Sequence, residues 1–502
     1  MSQAKVFHAQ LWGTRKLKYA ALREHDIADT EWAELAPQSP FYPLVPRDRE
    51  IQQEYLASAS IVQVLPESAV GMVTARDGLT LHWTSEGIWE AVRDFVALSS
   101  EAARGKFDLG SDTRDWRVAL AQEDVRSDGP ARERIQRVLY RPFDTRYTYY
   151  TGRSRGFICM PRAEVMTQMI RGQNLGLVCA RSNKSQAMDH FLVSRLMTEA
   201  KCGESTTQSC LLPLYLFGKG AATEAGGLFH APSRGPSQKG GRVANLSPDS
   251  VSTMGGRLGL TFVPDGVGDL AATFGPEDVF HYIYAVFHAP TYRERYAEFL
   301  KIDFPRVPLT SDIGLFRALC GLGADLVALH LLEDDYPHAS WNCRRGVPAP
   351  RDSANGAERR GAGTPRLQAG ETGDSQLAHL ITTYPVPGDN TVAKGHPKYL
   401  PPGDPEPGTR NPLPSGRVYI SKDDPRAGTQ GQYFEGVPPE VWEFHVGGYQ
   451  VCAKWLKDRV GRQLSYDDLT HYQRVVVALK ETIRLMAEID AAIEAHGGWP
   501  IQ

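Results

Sequence analysis

The chain of 502 residues has a net charge of -3 and 41% hydrophobic residues. This composition supplies enough apolar side chains for a buried core, and the length favours about two to four domains. The near-neutral total excludes a uniformly basic nucleic-acid-binding protein, so any such contact must come from a local excess of positive charge.

The cysteines and the N-terminus indicate the cellular compartment. Seven cysteines, an odd number, form no C-x-x-C pair and no zinc-finger spacing with histidine. We therefore expect reduced thiols and no metal site. The N-terminus lacks an apolar signal core, and no apolar run approaches the roughly 20 residues of a membrane span. These features predict a soluble, cytoplasmic protein without membrane contact.

Residues 1–70 combine short apolar runs with several prolines and show no evident core of their own. Apolar and polar residues alternate over 4–12, which predicts a strand, and residues 15–23 predict a short helix. A segment of this kind is typical of a connector.

Residues 71–218 are predicted to form a β-rich compact unit. Ser85 can cap a helix, because apolar residues follow at helical spacing up to Val96. Strands are predicted where β-branched and aromatic residues lie between turn residues. These strands are at 138–140, 147–150, 156–160, 175–180 and 191–193.

Residues 219–275 are predicted to be a loop or insertion, and residues 276–502 a largely helical subdomain. Helices are expected from Pro276 to Pro290, over 291–300, over 315–332, and after the capping box of Ser465 and Asp468. Two polar, Gly- and Pro-rich segments, 342–376 and 393–416, are predicted to be disordered insertions. The predicted fold class is α+β, a mixed-sheet domain with a helical C-terminal subdomain.

Residues 131–195 hold twelve Arg or Lys and four Asp or Glu, which gives +8 in a chain of net -3. Eleven of the twelve are arginines, whose planar fork matches a guanine edge or a phosphate. Aromatic residues are interleaved with them. Two interpretations stay open: a solvated basic face over an aromatic core, or contact with nucleic acid.

Arg153 and Arg155 are the leading candidates, because they flank a Gly/Ser turn and strand alternation would place both on one face. Asp144 beside two arginines is equally compatible with an ion pair that fixes a loop. The Arg76–Asp77 pair is compatible with local structure. The candidate DNA-contacting residues are Arg76, Arg141, Arg146, Arg153, Arg155, Arg162, Arg181 and Lys184.

Catalytic motifs are missing from the chain. It has no Gly-rich cofactor turn and no (Asn/Asp/Ser)-Pro-Pro-aromatic loop; the nearest string, Asn411-Pro412-Leu413-Pro414, lacks the adjacent second proline and the aromatic residue. No phosphate loop, nucleophile elbow or H-E-x-x-H helix occurs. We therefore expect no catalytic residue here, although a loose nuclease carboxylate cluster stays open.

A set of short strings, in order, carries a family resemblance. They are LWGTR at 11–15, KY at 18–19, TARD at 74–77, YRPFDTRYTYY at 140–150, NLGL at 174–177, PLY at 213–215, PEDVF at 276–280, YRERY at 292–296, FPRVP at 304–308, GYQ at 448–450 and KWL at 454–456. Together they resemble the C-terminal part of type ISP restriction–modification enzymes and related single-chain adenine-specific DNA methyltransferases. The resemblance spans most of the chain outside 219–250, 342–376 and 393–416.

In that family a nuclease, an ATPase motor, a helical coupler and a methyltransferase domain precede the target-recognition domain. The resemblance implies an α+β domain that reads duplex DNA, with residues 1–70 following a methyltransferase domain that is missing here. S-adenosylmethionine, ATP and Mg are then expected only for the upstream domains, and no cofactor for this chain. The implied partners are double-stranded DNA and a methyltransferase or nuclease, either a partner chain or a fused domain.

The expected function is thus sequence-specific recognition of duplex DNA, with catalytic domains supplied in trans or lost by truncation. Two alternatives stay open: an unrecognised nuclease or methyltransferase, and a degenerate remnant.

Overall fold

The structure, a computed structural model, describes residues 4–218, 241–333, 390–405, 411–422 and 431–501. It divides into an N-terminal unit, Met1–Ser58, and a main unit, Ala59–Gln502. Helices and small sheets are mixed throughout, which confirms the predicted α+β class.

The N-terminal unit has two strands and two helices. Val6–His8 pairs antiparallel with Ala33–Leu35. The helices are Arg15–Glu24, capped by Thr14, and Arg49–Leu56, capped by Asp48. The strand and the helix predicted near the N-terminus are both confirmed.

The main unit places helices around several short sheets. Its α-helices are Ile61–Val64, Asp77–Thr80, Ser85–Ala97, Ser100–Lys106, Val118–Ser127, Ala163–Met166, Pro248–Leu258, Pro276–His288, Pro290–Arg295, Ala297–Leu300, Ile313–His330, Pro439–Trp442, Val451–Lys457 and Tyr466–Ala495, with 3-10 turns at Arg132–Arg134 and Thr167–Met169. Its strands are Ala59–Ser60, Ala69–Val70, Ile135–Arg141, Asp144–Tyr149, Gly176–Ala180, Phe191–Ser194, Met197–Thr198, Ser209–Pro213, Tyr215–Phe217, Arg242–Ala244, Thr261–Phe262, Thr273–Phe274, Arg306–Val307, Lys398–Leu400, Arg417–Tyr419, Tyr433–Glu435, His445–Val446 and Tyr449–Gln450.

Two sheets form the β-rich part of the main unit. In one, Ile135–Arg141 pairs antiparallel with Asp144–Tyr149 and parallel with Met197–Thr198. The other has four antiparallel strands, and all residues of its three longer strands are buried. Continuous burial explains why these strands are apolar without alternation. The strand predicted at 156–160 is wrong, since only an isolated bridge from Met160 to Val73 forms there.

Helices Pro276–His288, Ile313–His330 and Tyr466–Ala495 pack together beside these sheets. They confirm the helices predicted at Pro276, at 315–332 and after Ser465. The helix predicted at 291–300 is present as two short pieces. Among the described residues, Ile313–His330 is the one helix long and apolar enough to cross a membrane. One face of this helix is buried, as in a core helix, through Leu315, Phe316, Leu319, Cys320, Leu326, Val327 and Leu329.

Two segments predicted as loop or disorder contain regular structure. Within 219–275, the described part forms strand Arg242–Ala244 and a helix that begins at Pro248 and is capped by Ser247. Within 393–416, Lys398–Leu400 pairs with Arg417–Tyr419, and the ring of Tyr399 stacks on Trp442 at 5.1 Å. The polar composition of these two segments gives no local sign of regular structure, because their strands and the ring of Tyr399 pack against residues outside the segments. The segments 219–240 and 342–376 lie outside the described residues.

Candidate nucleic-acid interface

The loop after strand Asp144–Tyr149 forms one side of an open groove of about 350 Å³. We call it the arginine groove. Its lining residues are Asp115, Gly152, Ser154, Arg155, Cys159, Met160, Pro161, Arg162, Ala163 and Glu164.

Helix Val118–Ser127 holds this loop through the buried carboxylate of Asp124. Asp124 Oδ2 accepts hydrogen bonds from Thr151 Oγ1 and from the backbone N–H of Phe157, both at 2.8 Å. Burial raises the pKa of Asp124, while these two donors act in the opposite direction. At the far end of the loop, Tyr150 Oη donates to the carbonyl of Pro161 at 2.9 Å. The groove wall is therefore fixed by a rigid scaffold, as binding loops commonly are.

Three non-glycine residues in or near the groove have left-handed backbones. They are Ala75 with φ 65°, Arg155 with φ 60° and Arg162 with φ 53°. Ala75 follows the bridge between Val73 and Met160 by two residues. Such conformations cost about 1–3 kcal/mol each and cluster at functional sites. The strain therefore marks this region as a place where side-chain direction matters.

Two of the eight candidate residues, Arg155 and Arg162, line the groove together with Cys159. Arg76 is held beside Trp116, because its Nε donates to the carbonyl of Leu109 at 2.7 Å and its guanidinium lies 5.0 Å from the ring centre of Trp116. Burial raises the pKa of the Cys159 thiol, and the charges of these three arginines oppose that shift.

Arg162 has a side-chain N–H donor without a hydrogen-bond partner among the described residues. Its Nη2 lies 3.6 Å from Met160 Sδ, and its Nε is buried and has no hydrogen-bond partner in the part of the chain that the structure describes. A buried polar group without a partner is costly, so a ligand that accepts a hydrogen bond there would be stabilised.

Carboxylates share the groove with the arginines. Hydrogen bonds from Arg114, at 3.0 and 3.2 Å, lower the pKa of Asp115, and the charge of Arg155 adds to this effect. Glu164 is exposed at the start of a short helix. The site therefore presents both donors and acceptors to a ligand.

Arg153 does not share a face with Arg155, which corrects the prediction from strand alternation. Its Nη2 donates to both oxygens of Asp128, at 3.0 and 3.1 Å. The left-handed backbone at Arg155 breaks the alternation, and residues 150–159 form no strand. Arg153 remains 43% exposed in its side chain, so it stays available at the rim.

Arg141 and Arg146 lie in the interior rather than on a DNA-accessible face. Arg146 is 5% exposed and donates to Asp144 at 2.8 Å. Its burial lowers the pKa of its guanidinium to about 10, against the attraction of Asp144. Arg141 donates to Glu199 at 2.7 Å, and its side chain is 12% exposed. The charges of both arginines are thus balanced by buried carboxylates, and their contact with DNA stays a prediction that this burial argues against.

Arg181 and Lys184 lie on a second exposed loop, which is fastened to the segment around Lys301. Ser182 Oγ donates to the carbonyl of Lys301 at 2.6 Å, and Arg181 forms a weak exposed pair with Asp303 at 3.3 Å. Lys184 is exposed. The structure thus places some candidate DNA-contacting residues at the arginine groove, some in the protein interior and some on this second loop.

Sequence reasoning missed the two groove carboxylates and Cys159. Asp115 lies outside the basic window 131–195, and Glu164 appears in it only as a charge to be subtracted. No local motif joins Asp115 to residues some 40–50 positions away. The three-dimensional loop geometry was required to find them.

The groove, with its left-handed backbones and charges of both signs, lies on an α+β scaffold. The family model described as "Type ISP C-terminal specificity domain" matches residues 63–488. The chain therefore belongs to this family of specificity domains. No curated protein matches the chain.

Solved structures share the fold at low sequence identity. A nuclease-deletion mutant of the Type ISP restriction–modification enzyme LlaGI, in complex with a DNA substrate mimic, aligns with TM-score 0.53 and 16% identity over 95% of this chain and 38% of that chain. The DrdV–DNA complex aligns with TM-score 0.55 and 17% identity over 96% of this chain and 42% of that chain. The ATP-dependent Type ISP enzyme LlaBIII bound to DNA aligns with TM-score 0.55 and 15% identity over 91% of this chain and 25% of that chain. The chain thus spans less than half the length of each.

Proposed function

We propose that this chain is the duplex-DNA target-recognition module of a restriction–modification system. The observation that carries the proposal is that Arg155 and Arg162, both with left-handed backbones, line one groove within a family specificity domain. The loops with Arg153, and with Arg181 and Lys184, add exposed positive charge for the DNA backbone. Phosphate contacts fix the protein on the duplex, and base contacts select the sequence.

The chemistry of the system is assigned to other domains. In this proposal an adenine-specific methyltransferase, an ATPase motor and a nuclease, in a longer chain or a partner, bind S-adenosylmethionine, ATP and Mg. Supporting this division, each similar solved protein is more than twice as long as the aligned region. The described residues include no group of three or more His, Cys, Asp or Glu suited to a metal ion. Such a module would act in the cytoplasm, where cellular DNA is reached.

DNA binding by the full chain is expected to weaken steeply with salt. Each phosphate neutralised releases counterions, so the slope of log K against log salt approaches about -0.9 per contact. Fluorescence anisotropy with labelled duplex at several salt concentrations measures this slope. We expect the double variant Arg155→Ala with Arg162→Ala to bind at least about tenfold more weakly, since base or phosphate contacts of this kind contribute about 1–3 kcal/mol.

A matched control removes one arginine charge elsewhere. Arg484 lies on helix Tyr466–Ala495 and pairs with Glu481 at 2.8 Å, away from the groove residues in sequence and structure. Arg484→Ala should leave affinity and salt slope unchanged. Equal affinities of the wild type and the groove variant would remove the groove from the DNA-binding surface.

The N-terminal unit is proposed to dock on the methyltransferase domain. Of 18 exposed large apolar side chains among the described residues, 11 lie between Phe7 and Val45, and Trp12 and Ile27 are 81% and 82% exposed. Exposed apolar surface of this extent marks an interaction site. The family model begins after this unit, at residue 63, which favours a role as a connector to another domain.

Co-expression with the system's methyltransferase is expected to yield a stable complex that requires this unit. Deleting residues 1–58, or introducing Trp12→Arg with Leu22→Arg, should abolish co-purification while duplex affinity of the main unit is kept. Leu120→Arg places the same charge on an exposed leucine of the main unit and serves as the control. A complex that survives the deletion would show that another surface makes this contact.

A further inference from the structure

We propose that the arginine groove reads a guanine–cytosine base pair through the major groove, with Arg155 on guanine and Glu164 on cytosine. The inference rests on the proposed DNA recognition and adds which base pair this site selects. It follows from the kinds of side chain that line the groove, their pairing and their backbone geometry.

The carboxylates argue against a phosphate as the ligand of the groove. A phosphate offers hydrogen-bond acceptors and negative charge, so the exposed carboxylate of Glu164 in the lining would repel it. The major-groove edge of a G·C pair is different, because guanine offers N7 and O6 as acceptors and cytosine offers its N4 amino group as a donor. A lining that holds both guanidinium and carboxylate groups matches this edge.

The lining also disfavours an adenine–thymine pair. Adenine presents an acceptor beside a donor, and proteins usually read it with Asn or Gln, whose amide does both. None of the ten lining residues is Asn or Gln. Arginine is the most frequent partner of guanine, and Glu or Asp accepts from cytosine N4.

The two groove arginines have different environments. Arg155 is exposed in the loop, has a left-handed backbone with φ 60°, and its charge acts on Asp115. Arg162 is half-buried, with Nη2 near Met160 Sδ. Arg155 is therefore the group that can reach into a DNA groove, and Arg162 supports the positive side of the site.

The two carboxylates differ in the same way. Asp115 is engaged by Arg114 at 3.0 and 3.2 Å, which uses both of its oxygens. Glu164 is exposed on the opposite lining segment, at the first turn of helix Ala163–Met166. Glu164 is thus the acceptor available to the cytosine amino group.

Selection from a randomised duplex library by the full chain, followed by sequencing, tests the assignment. The wild type should enrich a motif that contains a G·C position. Arg155→Ala and Glu164→Gln should each relax that same position to other base pairs, leave the remaining positions unchanged, and weaken the selected duplex about five- to one-hundred-fold. Both side chains are exposed, so the variants should fold, which circular dichroism and unfolding midpoints verify. Arg484→Ala should keep the full motif.

The possible results separate the inference from the proposed function. If the wild type binds no duplex or enriches no motif, the proposed target recognition itself fails. If the wild type enriches a motif that both variants retain, or if the relaxed position is A·T, the base-pair assignment is overturned while recognition stands. A uniform loss across all sequences with a flatter salt slope would show that Arg155 binds phosphate, and this also overturns the assignment.

Discussion

Replacing Asp144 by alanine is expected to lower the free energy of unfolding by about 3–5 kcal/mol. Asp144 is 1% exposed, and its two oxygens accept from Arg146 at 2.8 Å and from Arg459 at 3.0 Å. Both guanidinium groups also lie against the ring of Trp83. Removing the carboxylate would leave two buried cations without their shared counter-ion, which is why the effect is large. Chemical denaturation followed by tryptophan fluorescence measures it.

A matched control removes a half-buried aspartate that pairs with an exposed arginine. Asp303 lies 3.3 Å from Arg181, whose side chain is 72% exposed. Asp303→Ala should change the unfolding free energy by less than about 1 kcal/mol, because exposed ion pairs contribute little. If Asp144→Ala were as stable as this control yet bound DNA poorly, the interior role of Arg146 would be wrong and its side chain would belong to the DNA surface.

Local signals in the sequence were sufficient for most of the longer elements. The capping box of Ser465 and Asp468 forms as expected, with each side chain bonded to the backbone N–H of the other residue. The helix from Pro276 begins where proline is favoured at the first helical position. The helix near Ser85 places its apolar face in the core, with its N-cap one residue earlier, at Thr84. Caps and helical periodicity act within a few residues, so sequence alone reveals them.

Charge counting could not separate structural arginines from those available for binding. Arg141 is neutralised by Glu199, 58 positions away, and Arg146 shares Asp144 with Arg459, more than 300 positions from both. A window over 131–195 counts these charges as free. The sum of +8 therefore describes the region as a whole, whereas burial and distant partners decide which of its side chains are accessible to a ligand.

The shape of the arginine groove depends on backbone conformations that could not be predicted from the residue types. Arginine rarely adopts a left-handed backbone, yet Arg155 and Arg162 both do. The prediction that strand alternation puts Arg153 and Arg155 on one face assumed extended geometry through this segment. Tertiary contacts of the loop with Asp124 override that local preference.

Gly156→Ala is expected to disrupt this loop and thereby the groove. A Cβ at Gly156 would overlap Asp124 Oδ2, which is held in place by Thr151 and Phe157. Either the carboxylate or the loop must move, and overpacking of this kind costs about 1–3 kcal/mol. Because Arg155 precedes Gly156, loop displacement should also misplace its guanidinium and weaken duplex binding about tenfold or more, by loss of a contact of about 1–3 kcal/mol. Unfolding curves and anisotropy titrations measure the two effects.

Three further variants determine whether the overlap is the cause. Gly105 lies in helix Ser100–Lys106, and a Cβ there meets nothing within 4 Å, so Gly105→Ala should keep or slightly raise stability. Asp124→Ser alone should destabilise the loop by removing its anchor. The double variant Asp124→Ser with Gly156→Ala lacks Oδ2, the atom that the new Cβ would approach most closely, so the combined loss of stability should be smaller than the sum of the single losses. Strictly additive losses would mean that Gly156 and Asp124 act independently and that the loop is held by other contacts.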